Sequence, residues 1–154
     1  MKGRAGARGR RDYVRRAVMK TVLFACTQNA GRSQIAAALF NRQAEGSLAR
    51  AISAGTEPGE HVHLEVQQVM LEQGIDLSTS KPQKLTAELA RTADLLVTMG
   101  CGEACPVVPG LERDDWLVEN PKGKRIEQVR QIRDEIEQRV RELLVRRGWL
   151  ATTR

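Results

Sequence analysis

Residues 21 to 44 have the sequence "TVLFACTQNAGRSQIAAALFNRQA", in which an apolar run, a turn of small and polar residues and an alanine-rich segment follow one another. The run from Lys20 to Cys26 is short, continuous and apolar, which is typical of a central parallel strand covered on both faces. After the turn, Ile35, Leu39 and Phe40 fall on one side of a helix. The stretch therefore predicts a strand, a tight turn and a helix, with Cys26 where the strand ends.

The rest of the chain repeats this alternation of strands and helices. A second strand is predicted in "LARAISAGT", ending at Ser53 to Gly55, and a third in "ADLLVTMG". Helices are predicted from His63 to Gln73, in "TAELARTA" and, as a long amphipathic helix, from Lys124 onward. This order predicts an α/β domain with a parallel sheet and helices on both of its faces. Ligands bind to such sheets at the carboxyl ends of the strands, and both Cys26 and Cys101 directly follow a strand.

Length and charge indicate one domain with a basic extension. The 154 residues and a hydrophobic content of 41% fit a single compact domain. Eight of the 25 Lys and Arg residues, but only one acid, lie among the first 20 residues, so the net charge of +6 comes from the amino terminus. We expect residues 1–18 to be a disordered extension whose nucleic-acid contacts are weak at most, and residues 19–154 to be the domain.

The chain shows neither a membrane span nor a secretory signal, since no apolar run reaches 18 residues. We therefore expect a cytoplasmic protein without membrane contacts. Three cysteines in that compartment do not indicate a structural disulfide framework. They leave thiol chemistry, metal binding and buried unreactive thiols as alternatives.

The turn "CTQNAGRS" suits the binding of a tetrahedral oxyanion. Its successive backbone N–H groups can point inward, while the following helix adds the positive end of its dipole. Gly31 lets the backbone approach the anion closely, and the planar guanidinium of Arg32 can hold two anion oxygens. Asn29 is suited to hydrogen bonds within the loop, and Ser33 to capping the helix and donating its hydroxyl to a thiolate.

The field that binds an anion also favours the ionised form of Cys26, which predicts a nucleophile beneath the anion site. The predicted oxyanion-binding residues are Thr27, Gln28, Asn29, Ala30, Gly31, Arg32 and Ser33. The alternative is that Cys26 is a buried small residue and the turn an ordinary connection.

These residues resemble a known superfamily. The segment "VLFACTQNAGRS" is similar to the Cys-x5-Arg-Ser loop of low-molecular-weight protein tyrosine phosphatases and of the arsenate reductases that share their fold. The likeness continues through "SAGT", "GIDLSTSKPQKL", "ADLLVTMGCGEACPVVPG" and "DDWLVENPKGK", and it is strongest to the arsenate reductase branch. It implies a three-layer sandwich in which a four-stranded parallel sheet carries helices on both faces.

The resemblance also implies a reaction, the reduction of arsenate to arsenite for arsenic detoxification. Cys26 attacks arsenic to give a thiol-arsenate adduct, Cys101 attacks the Cys26 sulfur so that arsenite leaves, and Cys105 then takes over the disulfide. The implied catalytic residues are Cys26, Arg32, Cys101 and Cys105. Neither a metal nor a bound cofactor is implied, because the electrons come from thioredoxin or from a low-molecular-weight thiol. The implied ligands are arsenate and its analogues phosphate and sulfate, and we expect a monomer.

The spacing of Cys101 and Cys105 leaves alternatives open. Four residues apart on a helix, two Cβ atoms lie about 5 to 6 Å apart, whereas a disulfide requires roughly 3.5 to 4.5 Å, so the segment must loosen for the exchange. Residues that such a segment would contain are Gly100, Gly102 and Pro106. A metal site with His61 and His63 is one alternative, although the histidine spacing does not resemble a zinc motif. We expect these histidines on the surface, near the start of a helix.

The chain departs from the family pattern in one loop. Where the family has an acidic residue before a proline, this sequence has Asn120, which cannot donate a proton as an acid, and the neighbouring Glu119 is the candidate substitute. A general acid contributes about 10²- to 10⁴-fold, and its loss harms a phosphatase more than an arsenate reductase. Phosphotyrosine also needs aromatic walls, and only Trp116 lies near the predicted site. The alternatives are a low-molecular-weight phosphatase that hydrolyses phosphomonoesters and an oxyanion-binding protein without turnover.

Overall fold

A four-stranded parallel sheet forms the middle layer of the molecule. The computed structural model describes residues 19–101 and 105–152, so the predicted extension at residues 1–18 lies outside the described part. The strands are β1 (Lys20–Cys26), β2 (Ala49–Gly55), β3 (Leu95–Thr98) and β4 (Glu112–Asp115), in the spatial order β2-β1-β3-β4. All neighbouring strands are parallel, which confirms the predicted α/β class.

The helices lie where the sequence pattern places them, with one difference in length. They are α1 (Arg32–Gln43), α2 (Leu64–Leu71), α3 (Ala87–Arg91) and α4 (Ile126–Arg147). Helix α2 is shorter than the predicted segment from His63 to Gln73, because His63 is its N-cap and the chain turns after Leu71 towards Gly74, whose φ is +76°. Among the described residues, no helix is both long and apolar enough to cross a membrane.

Both faces of β1 are buried, as its continuous apolar sequence predicts. Successive side chains of a strand point to opposite faces of the sheet. Val22, Phe24 and Cys26 pack into the cluster that also holds the apolar sides of α1, α2 and α4. Leu23 and Ala25 pack on the other face, against residues of α3 and the Cys101–Cys105 pair. The helices therefore cover the sheet from both sides, which confirms the three-layer prediction.

The sequence pattern did not predict strand β4. Its residues, "ERDD", are exposed or half-buried, and no apolar alternation marks them. An edge strand needs only backbone pairing with one neighbour, and β4 obtains it from β3, where Thr98 lies opposite Asp115. Across the sheet, Cys26 lies opposite Gly55. The carboxyl ends of the strands thus meet at one edge, where the loops that follow them come together.

Candidate active site

In the loop Cys26–Ser33, called the anion loop below, each carbonyl oxygen from Cys26 to Gly31 accepts a hydrogen bond. Four of them accept hydrogen bonds from backbone N–H groups of the segment that follows β2. These bonds run from Thr56 N to Cys26 O (3.1 Å), Glu57 N to Thr27 O (2.7 Å), Gly59 N to Gln28 O (2.9 Å) and His63 N to Ala30 O (2.9 Å). The Asn29 oxygen accepts from Gln34 Nε2 at 3.1 Å and the Gly31 oxygen from Ile35 N at 3.0 Å.

The N–H groups of the anion loop are consequently free to bind an anion. In a trans peptide the N–H points opposite to the carbonyl of the preceding residue, so the N–H groups from Thr27 to Arg32 are directed away from the partners of the carbonyls. Within the described ranges none of these N–H groups has an acceptor. Helix α1 begins at Arg32 and adds the positive end of its dipole. Unpaired N–H groups at a helix start are a binding site for a tetrahedral anion.

Asn29 fixes the shape of the loop from inside. Its side chain is fully buried, and its φ of +52° is a left-handed value that asparagine tolerates better than most residues. Asn29 Nδ2 donates to Ser33 Oγ at 2.7 Å. Asn29 Oδ1 accepts from the backbone N–H of Gln83 at 3.0 Å and from Gln34 Nε2 at 3.2 Å. The side-chain bonds expected of Asn29 are therefore present, and one of them ties the loop to a segment 54 residues further along the chain.

Cys26 lies beneath the loop, beside the hydroxyl of Ser33. It is a free cysteine, 2% exposed, and its Sγ is 2.9 Å from Ser33 Oγ. Because Ser33 Oγ already accepts a hydrogen bond from Asn29, its own proton is left for the sulfur, an arrangement that stabilises a thiolate. The prediction that Ser33 caps the helix is wrong. The N-cap is Gly31, and Ser33 lies inside the first turn of α1, where its hydroxyl faces the sulfur instead.

Arg32 extends across the sheet edge to the loops after β3 and β4. Its side chain is buried, and Nη1 donates to the carbonyl of Val118 at 3.1 Å. Burial lowers the pKa of the Arg32 guanidinium, and the nearby charge of Cys26 opposes this shift. Gly100, with a φ of +106°, lies against the guanidinium so closely that a Cβ there would overlap Nη1. Arg32 is thus held by groups from two other strand ends, Gly100 after β3 and Val118 after β4.

Gly55 allows the anion loop to pass directly over the end of β2. A Cβ at this position would lie 2.6 Å from Thr27 O, 2.7 Å from Asn29 N and 2.9 Å from Gln28 C. Real Cβ atoms essentially never approach other atoms within 3.0 Å. Since these three atoms belong to the backbone, they cannot move aside by a side-chain rotation. The path of the loop therefore requires glycine at residue 55.

The rim of the anion pocket is formed by His63 and Asn120. Both line the pocket together with Cys26, Thr27, Gln28, Ala30, Gly31 and Arg32. Pro121 lies over Gly31, since a Cβ on that glycine would be 2.8 Å from Pro121 Cγ and 3.6 Å from His63 Cδ2. Glu119 does not belong to this lining, because its side chain is 64% exposed and ion-paired with Lys124 at 2.7 Å.

His63 is the site residue whose place the sequence did not predict. We expected a surface residue near a helix start, and the structure shows a half-buried N-cap at the pocket. A signal was available, because His63 belongs to the loop that leaves β2 at the carboxyl edge of the sheet, where ligands bind. Trp116, by contrast, packs into the core at a ring-centroid distance of 5.4 Å from Phe24 and forms no wall of the anion pocket.

Cys101 and Cys105 form a disulfide at the same sheet edge. Their Cα atoms are 5.5 Å apart, and both residues are buried. Cys101 follows Gly100, the residue in contact with Arg32, and thus lies close to the anion loop. Residues 102–104, including the predicted Gly102, lie outside the described part. Within the described residues, no group of three or more His, Cys, Asp or Glu side chains is arranged to hold a metal ion.

Cys105 also lines a cavity of about 560 Å³ beside the ends of β3 and β4. The lining residues are Thr98, Gly100, Cys105, Val107, Arg113, Asp115, Trp116 and Leu117. Two of them, Val107 and Leu117, are 85% and 90% exposed. The cavity, called the Cys105 cavity below, therefore joins one residue of the disulfide to an apolar rim.

Fold and site together define a class of protein, one with a buried free cysteine beneath a backbone loop at the carboxyl edge of a parallel sheet. The family model of the low molecular weight phosphotyrosine protein phosphatase matches residues 21–151. The chain belongs to this family.

Relatives within the family carry arsenate reductase names. A protein of Halobacterium salinarum named "Putative arsenate reductase" is 40% identical over 124 residues, which are 78% of this chain and 87% of the relative. The structure of a thioredoxin-dependent arsenate reductase of Corynebacterium glutamicum superposes with a TM-score of 0.70 at 37% identity, covering 87% of this chain and 68% of that one. An arsenate reductase of Archaeoglobus fulgidus superposes with a TM-score of 0.68 at 35% identity, covering 80% and 98%.

Proposed function

We propose that this protein is a thioredoxin-coupled arsenate reductase that passes oxidation from Cys26 to Cys101 and then to Cys105. The observation that carries the proposal is a free cysteine beneath an anion loop, with a second and third cysteine joined as a disulfide at the same sheet edge. A phosphatase needs only the first of these cysteines. The arsenate reductase names of relatives at 35 to 40% identity support the same conclusion.

The first step forms a bond between sulfur and arsenic. The Cys26 thiolate attacks H₂AsO₄⁻, one As–O bond breaks, and the leaving oxygen takes a proton to depart as water, giving Cys26–S–AsO₃H⁻. The N–H groups of Thr27 to Arg32 and the Arg32 guanidinium bind the remaining oxygens. Ser33 Oγ lies 2.9 Å from the attacking sulfur.

The second step reduces arsenic from the pentavalent to the trivalent state. The Cys101 thiolate attacks the Cys26 sulfur, the S–As bond breaks, and its electron pair leaves with arsenic, which takes two protons to depart as As(OH)₃. The Cys105 thiolate then attacks Cys101, releasing Cys26 as a thiolate and forming the Cys101–Cys105 disulfide. The structure shows the cysteines in the pairing that follows this exchange, with Cys26 free. Thioredoxin supplies two electrons to return Cys101 and Cys105 to thiols.

The test is arsenite release by the parent protein and by Cys101→Ser and Cys105→Ser, each with a thioredoxin system or with dithiothreitol. We expect Cys101→Ser to fall to background with thioredoxin, because nothing resolves the adduct within the protein. Cys105→Ser should lose at least about tenfold with thioredoxin but keep turnover with dithiothreitol, which can reduce a Cys26–Cys101 disulfide directly. Arsenite release that needs Cys26 alone would reject the relay.

Hydrolysis of an aryl phosphate serves as the control for the competing phosphatase function. The two serine variants should leave this activity at the level of the parent, because hydrolysis uses Cys26 and the anion loop only. If the parent hydrolyses the aryl phosphate rapidly and releases no arsenite with either reductant, the chain is a phosphatase. If arsenate protects the protein against heat and neither product appears, the chain is a binding protein.

The apolar rim of the Cys105 cavity suits a protein reductant better than a small thiol. Cys105 itself is 3% exposed, and we place the approach of the reductant at this cavity because Cys105 lines it. A docked protein would cover the exposed side chains of Val107 and Leu117, and apolar contacts of this kind supply much of the affinity of transient complexes.

We expect Leu117→Glu to raise the KM for thioredoxin about tenfold, since a charge would be buried against the partner. Turnover with dithiothreitol should stay unchanged, because a small thiol needs no docking surface. Leu71→Glu is the matched control, because Leu71 is 57% exposed, lies at the end of α2 and does not line the Cys105 cavity. Steady-state kinetics with thioredoxin as the varied substrate measure the effect, and equal KM values for both variants would contradict this docking surface.

A further inference from the structure

We propose that His63 delivers the proton to the departing oxygen when Cys26 attacks the substrate. This role rests on the proposed reduction of arsenate, and it assigns a catalytic residue to a step for which Asn120 cannot act as an acid. Three observations of the site lead to it: the lining of the pocket, the position of the imidazole, and its charged surroundings.

The lining of the anion pocket contains few groups that can transfer a proton. Of the residues that the structure places there, Cys26 is the nucleophile and Arg32 a permanent cation. Asn120 has a neutral amide, and its Oδ1 accepts a hydrogen bond from the backbone N–H of Lys122 at 3.1 Å. Glu119 is turned to Lys124 and away from the pocket. Among the described lining residues, only His63 remains as a group that gains and loses a proton near neutral pH.

The backbone holds the imidazole at the rim of the pocket. His63 N donates to Ala30 O at 2.9 Å, so the residue is fastened to the anion loop itself. Its carbonyl oxygen accepts hydrogen bonds from the backbone N–H groups of Val66 and Gln67, in the first turn of α2. The edge of the imidazole ring lies beside Gly31, since a Cβ on that glycine would be 3.6 Å from His63 Cδ2. Pro121 lies over the same glycine, and it directly follows the residue 120 position at which the family has its acid. The imidazole thus borders the pocket from the side where that acid would act.

The His63 ring nitrogens make no hydrogen bond to any other described residue, so they are available for proton transfer. Burial lowers the pKa of His63, Glu65 opposes this shift, and Lys122 and His61 reinforce it. The charged groups around the ring are Glu65 on its own helix, His61 before it, Lys122 after Pro121, and Cys26 and Arg32 across the pocket.

A histidine with a lowered pKa is neutral in the empty pocket at neutral pH and becomes protonated when an anion arrives, because negative charge favours the imidazolium. The proton comes from the solvent. The imidazolium then gives this proton to the oxygen whose bond to arsenic breaks, water leaves, and His63 returns to the neutral form. Sulfur gains the bond to arsenic that oxygen loses, so the step needs no other reactant.

The experiment measures single-turnover arsenite release by the fully reduced protein without thioredoxin. We expect His63→Gln to slow release about 10²-fold, at the lower end of what a general acid contributes. His61→Gln is the matched control, because His61 lies two residues away and is exposed; we expect its rate to stay within about twofold of the parent, the small effect of a solvated charge.

Two further measurements separate proton transfer from a structural role. The ratio of the parent rate to the His63→Gln rate should fall as the pH rises, because only the parent uses an imidazolium. The ionisation of arsenate and of Cys26 affects both proteins alike and therefore cancels in this ratio. Asn120→Asp added to His63→Gln should restore the rate at least tenfold, since it supplies a carboxylic acid at the same rim. A pH-independent ratio, or no rescue, would show that His63 does not donate the proton.

Failure of this inference is distinguishable from failure of the proposed function. If the parent releases no arsenite, the proposed reaction is wrong and the role of His63 in it falls as well. If the parent releases arsenite and the His63→Gln and His61→Gln rates are equal, the reaction stands and only the proton donor is wrong. Binding of phosphate, measured by calorimetry, should be similar in both variants; selective loss of binding in His63→Gln would assign His63 to substrate binding instead.

Discussion

Replacing Cys26 by serine is expected to reduce arsenite release by at least about 10⁴-fold, the scale on which loss of a catalytic nucleophile acts. A serine at this position would offer a neutral hydroxyl, because an alcohol ionises far less readily than a thiol. It also cannot supply the two electrons that arsenic must receive, because a serine oxygen cannot be oxidised to a disulfide with Cys101. Steady-state arsenite release with a thioredoxin system measures the loss.

The same variant should still bind the anion. The carbonyl oxygens from Cys26 to Gly31 have backbone or Gln34 partners, so the N–H groups of the loop keep their direction without the sulfur. We therefore expect phosphate and arsenate to raise the Tm of Cys26→Ser about as much as that of the parent. Retained arsenite release would contradict Cys26 as the nucleophile. Loss of anion binding together with activity would instead show that the sulfur is needed for the shape of the loop.

Replacing Gly55 by alanine is expected to lower kcat/KM for arsenate by about 10²-fold or more, although residue 55 touches no substrate. The new Cβ would lie within 3.0 Å of backbone atoms of Thr27, Gln28 and Asn29, so the anion loop must shift. Donors in such a site act only when they lie about 2.7 to 3.1 Å from the anion oxygens. A displacement of less than 1 Å therefore removes several of these hydrogen bonds at once.

Gly46→Ala is the matched control for Gly55→Ala. A Cβ at Gly46 would have no atom within 4 Å, and neither glycine has a positive φ, so the two variants differ in contact and not in backbone strain. The kinetics of Gly46→Ala should equal those of the parent. Alkylation of Cys26 by iodoacetamide gives an independent measurement, since phosphate should protect the parent and Gly46→Ala but not Gly55→Ala. Equal protection in all three proteins would contradict the role of Gly55 in shaping the loop.

The element pattern and the nucleophilic loop could be predicted because both are local in sequence. The apolar run before Cys26 and the helical spacing after Ser33 fix a strand, a turn and a helix whatever the rest of the chain does. The anion-binding character of the turn follows from the same few residues. The disulfide between Cys101 and Cys105 is local as well, and the structure shows it closed.

The sequence could not decide which of the candidate side chains form the rim of the site, because the rim depends on contacts between distant parts of the chain. Glu119 and Asn120 are neighbours, and only their packing decides that Asn120 faces the pocket while Glu119 pairs with Lys124. His63 reaches the pocket through a backbone bond to Ala30, 33 residues earlier in the numbering. The residues of β4 carry no apolar signal, and this strand exists because β3 offers it backbone partners.

The sequence by itself determined the centre of this protein: a cysteine at a strand end, a turn of small and polar residues that leads into a helix, and two further cysteines after the third strand. The tertiary structure alone decided which side chains surround that centre. The physical reason is that strand, turn and helix preferences are set by residues a few positions apart. Which of two adjacent side chains faces a pocket is set by the packing of segments that meet only in the folded chain.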